Sequence, residues 1–272
     1  TRTKTTNYPA EIDYIYCSGK GRKYPAFIDA DSRNQGYNET DLIENPVFMI
    51  EDALRTELGE TSSTIDYAAF DTSGNTTNGY LGDIFNDTVG DVKFAFSQYK
   101  FINSKDLINR LCKQILSWVF VGGNGKFKIR TLRRTGDYAS ADKTIDFNDI
   151  NLKSISRTPL GAVRNDITIN YNKDYGQDQF VSNVNTTDST SQGTTVNGVS
   201  QSLKLELDAD ILDSTTATQL ADAYKTIFKD RKVILDFECL RPYYNDLEIG
   251  DIVLFSNWDS NIKIYGAAMG TD

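Results

Sequence analysis

The chain has 272 residues, of which 39% are hydrophobic and 25% charged, so a large core is predicted and global disorder is disfavoured. Its formal net charge is −9, and an acidic surface repels phosphate, which disfavours nucleic-acid wrapping as a main function. The absence of histidine excludes His-dependent Ser and Cys hydrolases, HExxH zinc sites and His proton relays. No run approaches the roughly 20 apolar residues of a membrane helix, so stable membrane insertion is not expected.

The cysteines give no sign of a disulfide framework or a metal site. Cys17, Cys112 and Cys239 lie far apart and form no CxxC pair. Cys112 falls on an apolar helix stripe and Cys239 in an alternating run, so both are interpreted as small core residues.

The strongest local signal lies at residues 44–59, which predict one helix with both ends specified. Asn45 suits the N-cap position, because its side-chain oxygen can accept a free backbone N–H. Pro46 suits the first helical position, and Gly59 suits the left-handed residue that ends a helix.

The spacing of the side chains predicts which face of this helix is buried. Its apolar stripe consists of Val47, Ile50, Leu54 and Leu58, widened by Met49 and Ala53. Glu51 and Arg55 are expected to form an i,i+4 ion pair on the solvent side. The sequence therefore predicts an amphipathic helix docked on a core.

The same stretch resembles a helix of the tail-tip and baseplate hub proteins of long-tailed bacteriophages. It opens with Glu44-Asn-Pro46 and closes with Glu57-Leu-Gly59. Ile65-Asp66 and Phe70-Asp71 follow in the order that is typical of that family.

The N-terminal region predicts two short strands, at 12–17 and 24–29, joined by a turn at 19–24. The glycines of the turn lack Walker and Rossmann spacing, which favours a hairpin over a phosphate site. Residues 29–36 do not satisfy a calcium-loop pattern, since Arg33 stands where an oxygen ligand is required. No ligand site is predicted here.

Residues 94–132 predict a helix followed by a hairpin. Asn103 or Ser104 can cap a helix at 104–119, and 118–132 has the alternation and central glycines of two paired strands. The basic residues of the second strand are Lys126, Lys128 and Arg130. They are expected to form an outward, solvated stripe, with phosphate or sugar-acid binding as the alternative.

The second half of the chain predicts a further set of strands and one helix. The strands are expected at 166–171, 203–208, 233–239 and 247–255. The helix is expected at 215–229, capped by Asp213, Ser214 or a capping box of Thr216 and Gln219. Residues 182–202 are rich in Ser, Thr, Asn and Gly, which predicts a flexible surface loop.

Three further motifs are similar to segments of the hub proteins. They are the turn Gly123-Asn-Gly-Lys126, the strand entry Arg164-Asn-Asp-Ile167, and Leu247-Glu-Ile-Gly-Asp-Ile-Val253. The last resembles the strand that closes a small β-barrel, and it follows a helix and an alternating strand in the family's order.

We predict an α+β fold of β-barrel-like or sheet-rich domains, each covered by amphipathic helices. The 15 Tyr and 14 Phe favour strands. Residues 1–150 are predicted to form an N-terminal hub-like β domain with the inserted helix-hairpin unit at about 94–132. Residues 151–272 are predicted to form a second hub-like β domain that carries the loop at about 182–202.

Paired acids are the main candidates for catalysis. Asp208, Asp210 and Asp213, or Glu51 and Asp52, could form a glycosidase pair. Because 38 acidic residues guarantee chance clusters and no catalytic motif is present, we predict no catalytic, cofactor-binding or metal-binding residue and no enzymatic activity.

The resemblance implies a structural virion protein in the phage tail, at the tail tip or baseplate hub. Such a protein closes or adapts the distal end of the tail tube and takes part in host attachment and genome ejection. The implied partners are other copies in a trimeric ring, distal tail and tail tube proteins, the tape measure protein, tail fibres, and viral DNA in transit.

Two other functions remain open from the sequence. One is a carbohydrate-active tail module, either a glycan hydrolase or a receptor-binding domain, which would use the acids and the many tyrosines. The other is a hub or spike of a bacterial secretion or tailocin machine, which shares the tail ancestry.

Overall fold

The computed structural model describes residues 21–24, 41–70, 93–97, 101–132, 141–195 and 202–259. These residues form several small sheets and a few helices, so the predicted α+β class is confirmed. The strands predicted at 12–17 and 24–29, and the segment 29–36, lie outside the described residues apart from Tyr24.

The described part contains three α-helices and nine strands. The helices are α1 (Pro46–Asp52), α2 (Ser104–Gln114) and α3 (Ser214–Phe228). The first strands are β1 (Ser117–Val121), β2 (Phe127–Thr131), β3 (Lys143–Asp146), β4 (Ile150–Arg157) and β5 (Asp166–Asp174). The remaining strands are β6 (Gln179–Thr187), β7 (Lys204–Asp208), β8 (Val233–Cys239) and β9 (Val253–Ser256).

The strands pair into four sheets. β1 and β2 form the predicted antiparallel hairpin, and β5 lies at the centre of a three-stranded sheet, antiparallel to β6 and parallel to β7. β4 pairs with β8 in antiparallel fashion and β3 pairs with β9 in parallel. The segment from β5 to α3 is therefore inserted in sequence between the strands of the β4–β8 pair.

Helix α1 begins as predicted and then widens. Asn45 Oδ1 accepts the Val47 N–H at 3.0 Å, and Pro46 is the first helical residue. A π-helical segment, Ala53–Glu57, follows α1, and the Leu58 N–H donates to the Ala53 oxygen at 3.3 Å. Gly59 then adopts a φ of +73°, as its predicted role requires.

The π-helical segment corrects two predictions about this helix. Leu58 is 47% exposed, because a π turn contains more residues than an α turn and rotates Leu58 out of the apolar stripe. Glu51 is fully buried, because α1 is enclosed on most of its circumference. Its predicted ion pair with Arg55 is present at 2.9 Å, but in the interior.

Three hydrophobic clusters lie within the described residues, and two of them join most of the helices and strands. The larger one collects side chains from α1, α2, β2, β5 and α3, together with Ile65 and Phe70 from the segment between α1 and α2. The smaller one lies among β3, β4, β8 and β9 and is centred on Ile145, Ile150 and Tyr244. Residues from both sides of position 150 share the larger cluster, and the two-domain division stays a prediction.

Three predicted boundaries are wrong. Helix α2 ends before Val119, because Leu116 has a φ of +53° and β1 starts at the next residue. Residues 182–187 of the predicted loop belong to β6, whose alternate side chains, among them Val184, pack inward under α3. Only the end of the strand predicted at 247–255 is a strand, since β9 starts at Val253.

Candidate functional site

A tight turn at residues 247–251, which we call the clasp turn, lies against the β1–β2 hairpin. Gly250 has a φ of +94°, and a Cβ at this position would lie 2.8 Å from Trp118 Cζ2. Asp251 Oδ2 accepts the Glu248 N–H at 2.8 Å and closes the turn. The Gly-Asp pair of the hub-like motif therefore has a physical role, because glycine alone allows this approach.

Two ion pairs hold the clasp turn on the hairpin. Lys128 Nζ donates to Glu248 Oε2 at 2.6 Å, while Glu248 Oε1 accepts the Gly123 N–H at 2.7 Å. Arg130 lies 3.6 Å from an oxygen of Asp251. The hydrogen bond from Lys128 lowers the pKa of the Glu248 carboxyl below its usual value.

These pairs correct the prediction of a solvated basic stripe on β2. Arg130 is buried and Lys128 is largely covered, and both charges face carboxylates of the clasp turn. Lys126 is partly exposed. The stripe is therefore used mainly to bind another part of the same chain.

A cavity of about 250 Å³ lies between α2, the β5–β6 hairpin and the end of β7. Its inner wall is a closed polar network around Asp210. Arg110 donates to both carboxylate oxygens, from Nη2 to Oδ1 and from Nε to Oδ2 at 2.9 Å. Gln114 Nε2 donates to Oδ2 at 2.7 Å, and Gln114 Oε1 accepts the Asp210 N–H at 3.0 Å.

The rim of the cavity carries two aromatic rings and two opposite charges. Lys173 Nζ lies 5.5 Å from the ring centre of Tyr175 and 5.7 Å from that of Phe180. Asp178 pairs with Lys173 at 2.7 Å and raises the pKa of the Lys173 amine. Asp208, which is exposed, accepts a hydrogen bond from Asn170 Nδ2 at 3.0 Å.

The structure separates the acids that the sequence left as a possible glycosidase pair. Asp208 and Asp210 line the same cavity, whereas Asp213 caps α3 by accepting the Thr216 N–H at 2.8 Å. Because both oxygens of Asp210 are occupied, this carboxylate is held as a structural acceptor rather than as a proton donor to a substrate.

The other candidate acids, Glu51 and Asp52, belong to ion pairs of the first helix. Asp52 Oδ2 accepts from Arg22 at 2.6 Å, and Glu51 pairs with Arg55. These carboxylates therefore stabilise the fold around α1.

Sequence reasoning missed six of the eight residues that line the cavity, namely Ser97, Arg110, Gln114, Lys173, Tyr175 and Phe180. One local signal existed, because Arg110 and Gln114 are an i,i+4 polar pair on the otherwise amphipathic helix α2. The contributions of β5 and β6 depend on strand pairing, which has no local sequence signal.

Within the described residues, no group of three or more His, Cys, Asp or Glu side chains is arranged to hold a metal ion. No helix in the described ranges is both long enough and apolar enough to span a bilayer. Comparison of the chain with models of known protein families gives no match, and comparison with curated proteins gives no significant match.

Proposed function

We propose that this protein is a structural virion protein of a bacteriophage tail, at the tail tip or baseplate hub. The proposal starts from the resemblance of residues 44–59 and 247–255 to hub proteins. One observation carries it further: the clasp turn binds the β1–β2 hairpin through Gly250 and two ion pairs. This hub-like motif thus joins two structural elements of the same chain.

The surface of the C-terminal part supports assembly with neighbours. Several large apolar side chains between residues 233 and 254 are exposed, namely Val233, Ile234, Leu240, Tyr243, Ile249 and Leu254. Ile249 is 69% exposed and lies in the clasp turn itself. A contiguous patch of exposed apolar side chains is typical of surfaces that bind another protein, and the proposal requires some of these residues to form one.

In this proposal the sheets belong to hub-like, barrel-like β domains covered by helices. Copies assemble into a trimeric ring that adapts the distal end of the tail tube. The ring contacts distal tail and tail tube proteins, the tape measure protein and tail fibres. It takes part in host attachment and in genome ejection, during which DNA passes through it.

Immunogold electron microscopy of purified virions that carry this chain tests the location. We expect antibodies against the chain to label the end of the tail distal to the capsid. Labelling of the capsid alone, or recovery of the chain only in the particle-free fraction, would contradict the proposal. Labelling of contractile particles without DNA would instead support the tailocin alternative.

A further inference from the structure

The cavity beside Asp210 has the features of a binding site for a small polar molecule. Its inner wall is rigid, because the carboxylate of Asp210 is fixed by Arg110 and Gln114 from one helix. Arg110 is itself supported from the side by the Phe96 ring, whose centre lies 5.2 Å from the guanidinium carbon. Such preorganisation reduces the entropy cost of binding.

The rim supplies the groups that would contact a ligand. Tyr175 is held in place because its hydroxyl oxygen accepts the Ser97 N–H at 2.8 Å. The Phe180 ring also lines the cavity, and its centre lies 5.7 Å from Lys173 Nζ. The rim also carries the negative charge of Asp208, which is exposed and can accept hydrogen bonds from ligand hydroxyls. The rim therefore combines apolar ring surface with a strong hydrogen-bond acceptor.

The charges and the size select the class of ligand. Arg110 is paired with Asp210, and Lys173 is paired with Asp178. Because both cations of the cavity already have a carboxylate partner, an anionic ligand is disfavoured. A volume of about 250 Å³ suits one sugar ring rather than an oligomer. We propose that this cavity binds a single neutral hexose unit of a glycan, by ring contacts and hydroxyl bonds, without cleaving it.

This inference does not rest on the tail-hub function, because binding can be measured whether or not the chain assembles. Ligand-observed NMR would use the purified chain with the methyl glycosides of glucose, galactose and N-acetylglucosamine. We expect saturation transfer to at least one of them, and titration would give its dissociation constant.

Two variants and a matched control locate the site. Asp208→Asn and Phe180→Ala should each weaken binding about tenfold, the first through loss of a hydrogen bond to a charged group and the second through loss of an apolar ring contact. Glu206→Gln is the control: Glu206 accepts from the same Asn170 at 2.9 Å but does not line the cavity, so affinity should stay unchanged. Circular dichroism would verify that all three variants fold.

Several results would overturn the inference. One is the absence of saturation transfer to all three glycosides. Another is a loss of affinity in Glu206→Gln as large as that in the two cavity variants. A third is preferential binding of glucuronate, inorganic phosphate or an amine such as arginine methyl ester. Release of methanol or free sugar during the experiment would show cleavage and would contradict binding alone.

Discussion

At the scale of single residues, the clasp turn shows why particular side chains occupy particular positions. Gly250 combines a φ of +94° with a close approach to Trp118, so both backbone conformation and space exclude a side chain. Glu248 uses its two oxygens for two different elements, the Lys128 side chain and the backbone of Gly123. The sequence predicted a strand across this position, but not the hairpin that Gly250 contacts.

The first residue-scale prediction concerns Gly250. Gly250→Ala should lower the free energy of unfolding by about 2 kcal/mol or more, because it adds a left-handed non-glycine residue and a clash with Trp118. Gly161→Ala is the control, since a Cβ there would meet nothing within 4 Å. Urea denaturation of both variants measures the difference, and equal stabilities would contradict the docking of the clasp turn.

The second residue-scale prediction concerns how the stabilisation by the Lys128–Glu248 ion pair depends on pH. The pKa of Glu248 is lowered from 4.5 in the folded chain, so its ion pair stabilises above that pH and is lost as pH falls through the lowered pKa. Glu248→Gln should therefore cost about 2 kcal/mol at pH 7 and progressively less below pH 4.

The control for this variant is Glu238→Gln. Glu238 pairs with Lys153 at 3.2 Å, but both side chains are more than half exposed, so the change in stability should be negligible. Denaturation curves collected between pH 3 and pH 7 give the change in unfolding free energy of both variants at each pH. A cost for Glu248→Gln that does not vary with pH would refute the ionic origin of the stabilisation.

At the scale of elements, the sequence predicted most helices and strands because their signals are local. The Asn45 and Asp213 caps and the alternation of β5, β7 and β8 were all readable from neighbouring residues. The errors came from tertiary context. The π-helical segment after α1 and the pairing of polar β6 with β5 depend on contacts with distant segments.

The π-helical segment gives a prediction at this scale. Leu54 is buried in the larger cluster, whereas Leu58, one α-helical turn later in sequence, is exposed. Leu54→Ala should cost about 3 kcal/mol of unfolding free energy, and Leu58→Ala less than about 0.5 kcal/mol. Similar costs in thermal or chemical denaturation would mean that the helix continues in α register and buries both side chains.

At the scale of the whole molecule, long-range pairing decides what the candidate site is. The sequence placed Asp208 and Asp210 among possible acids, yet only the fold brings Arg110 and Gln114 onto Asp210 and the β5–β6 hairpin onto the rim. Likewise, the sequence shows Lys128 and Arg130 as basic residues, but their partners in the clasp turn, Glu248 and Asp251, lie more than 100 residues away in sequence. Neither arrangement has a signal in local spacing.

We propose that the chain works as an assembled structural subunit, and native mass measurement of the purified protein tests this most directly. We expect a closed oligomer, with three copies as the predicted number. Ile249→Asp and Leu254→Asp should shift the population toward monomer, whereas Val181→Asp, an exposed apolar position on β6, should not. A chain that stays monomeric at every concentration, with or without turnover of glycans, would contradict this proposal.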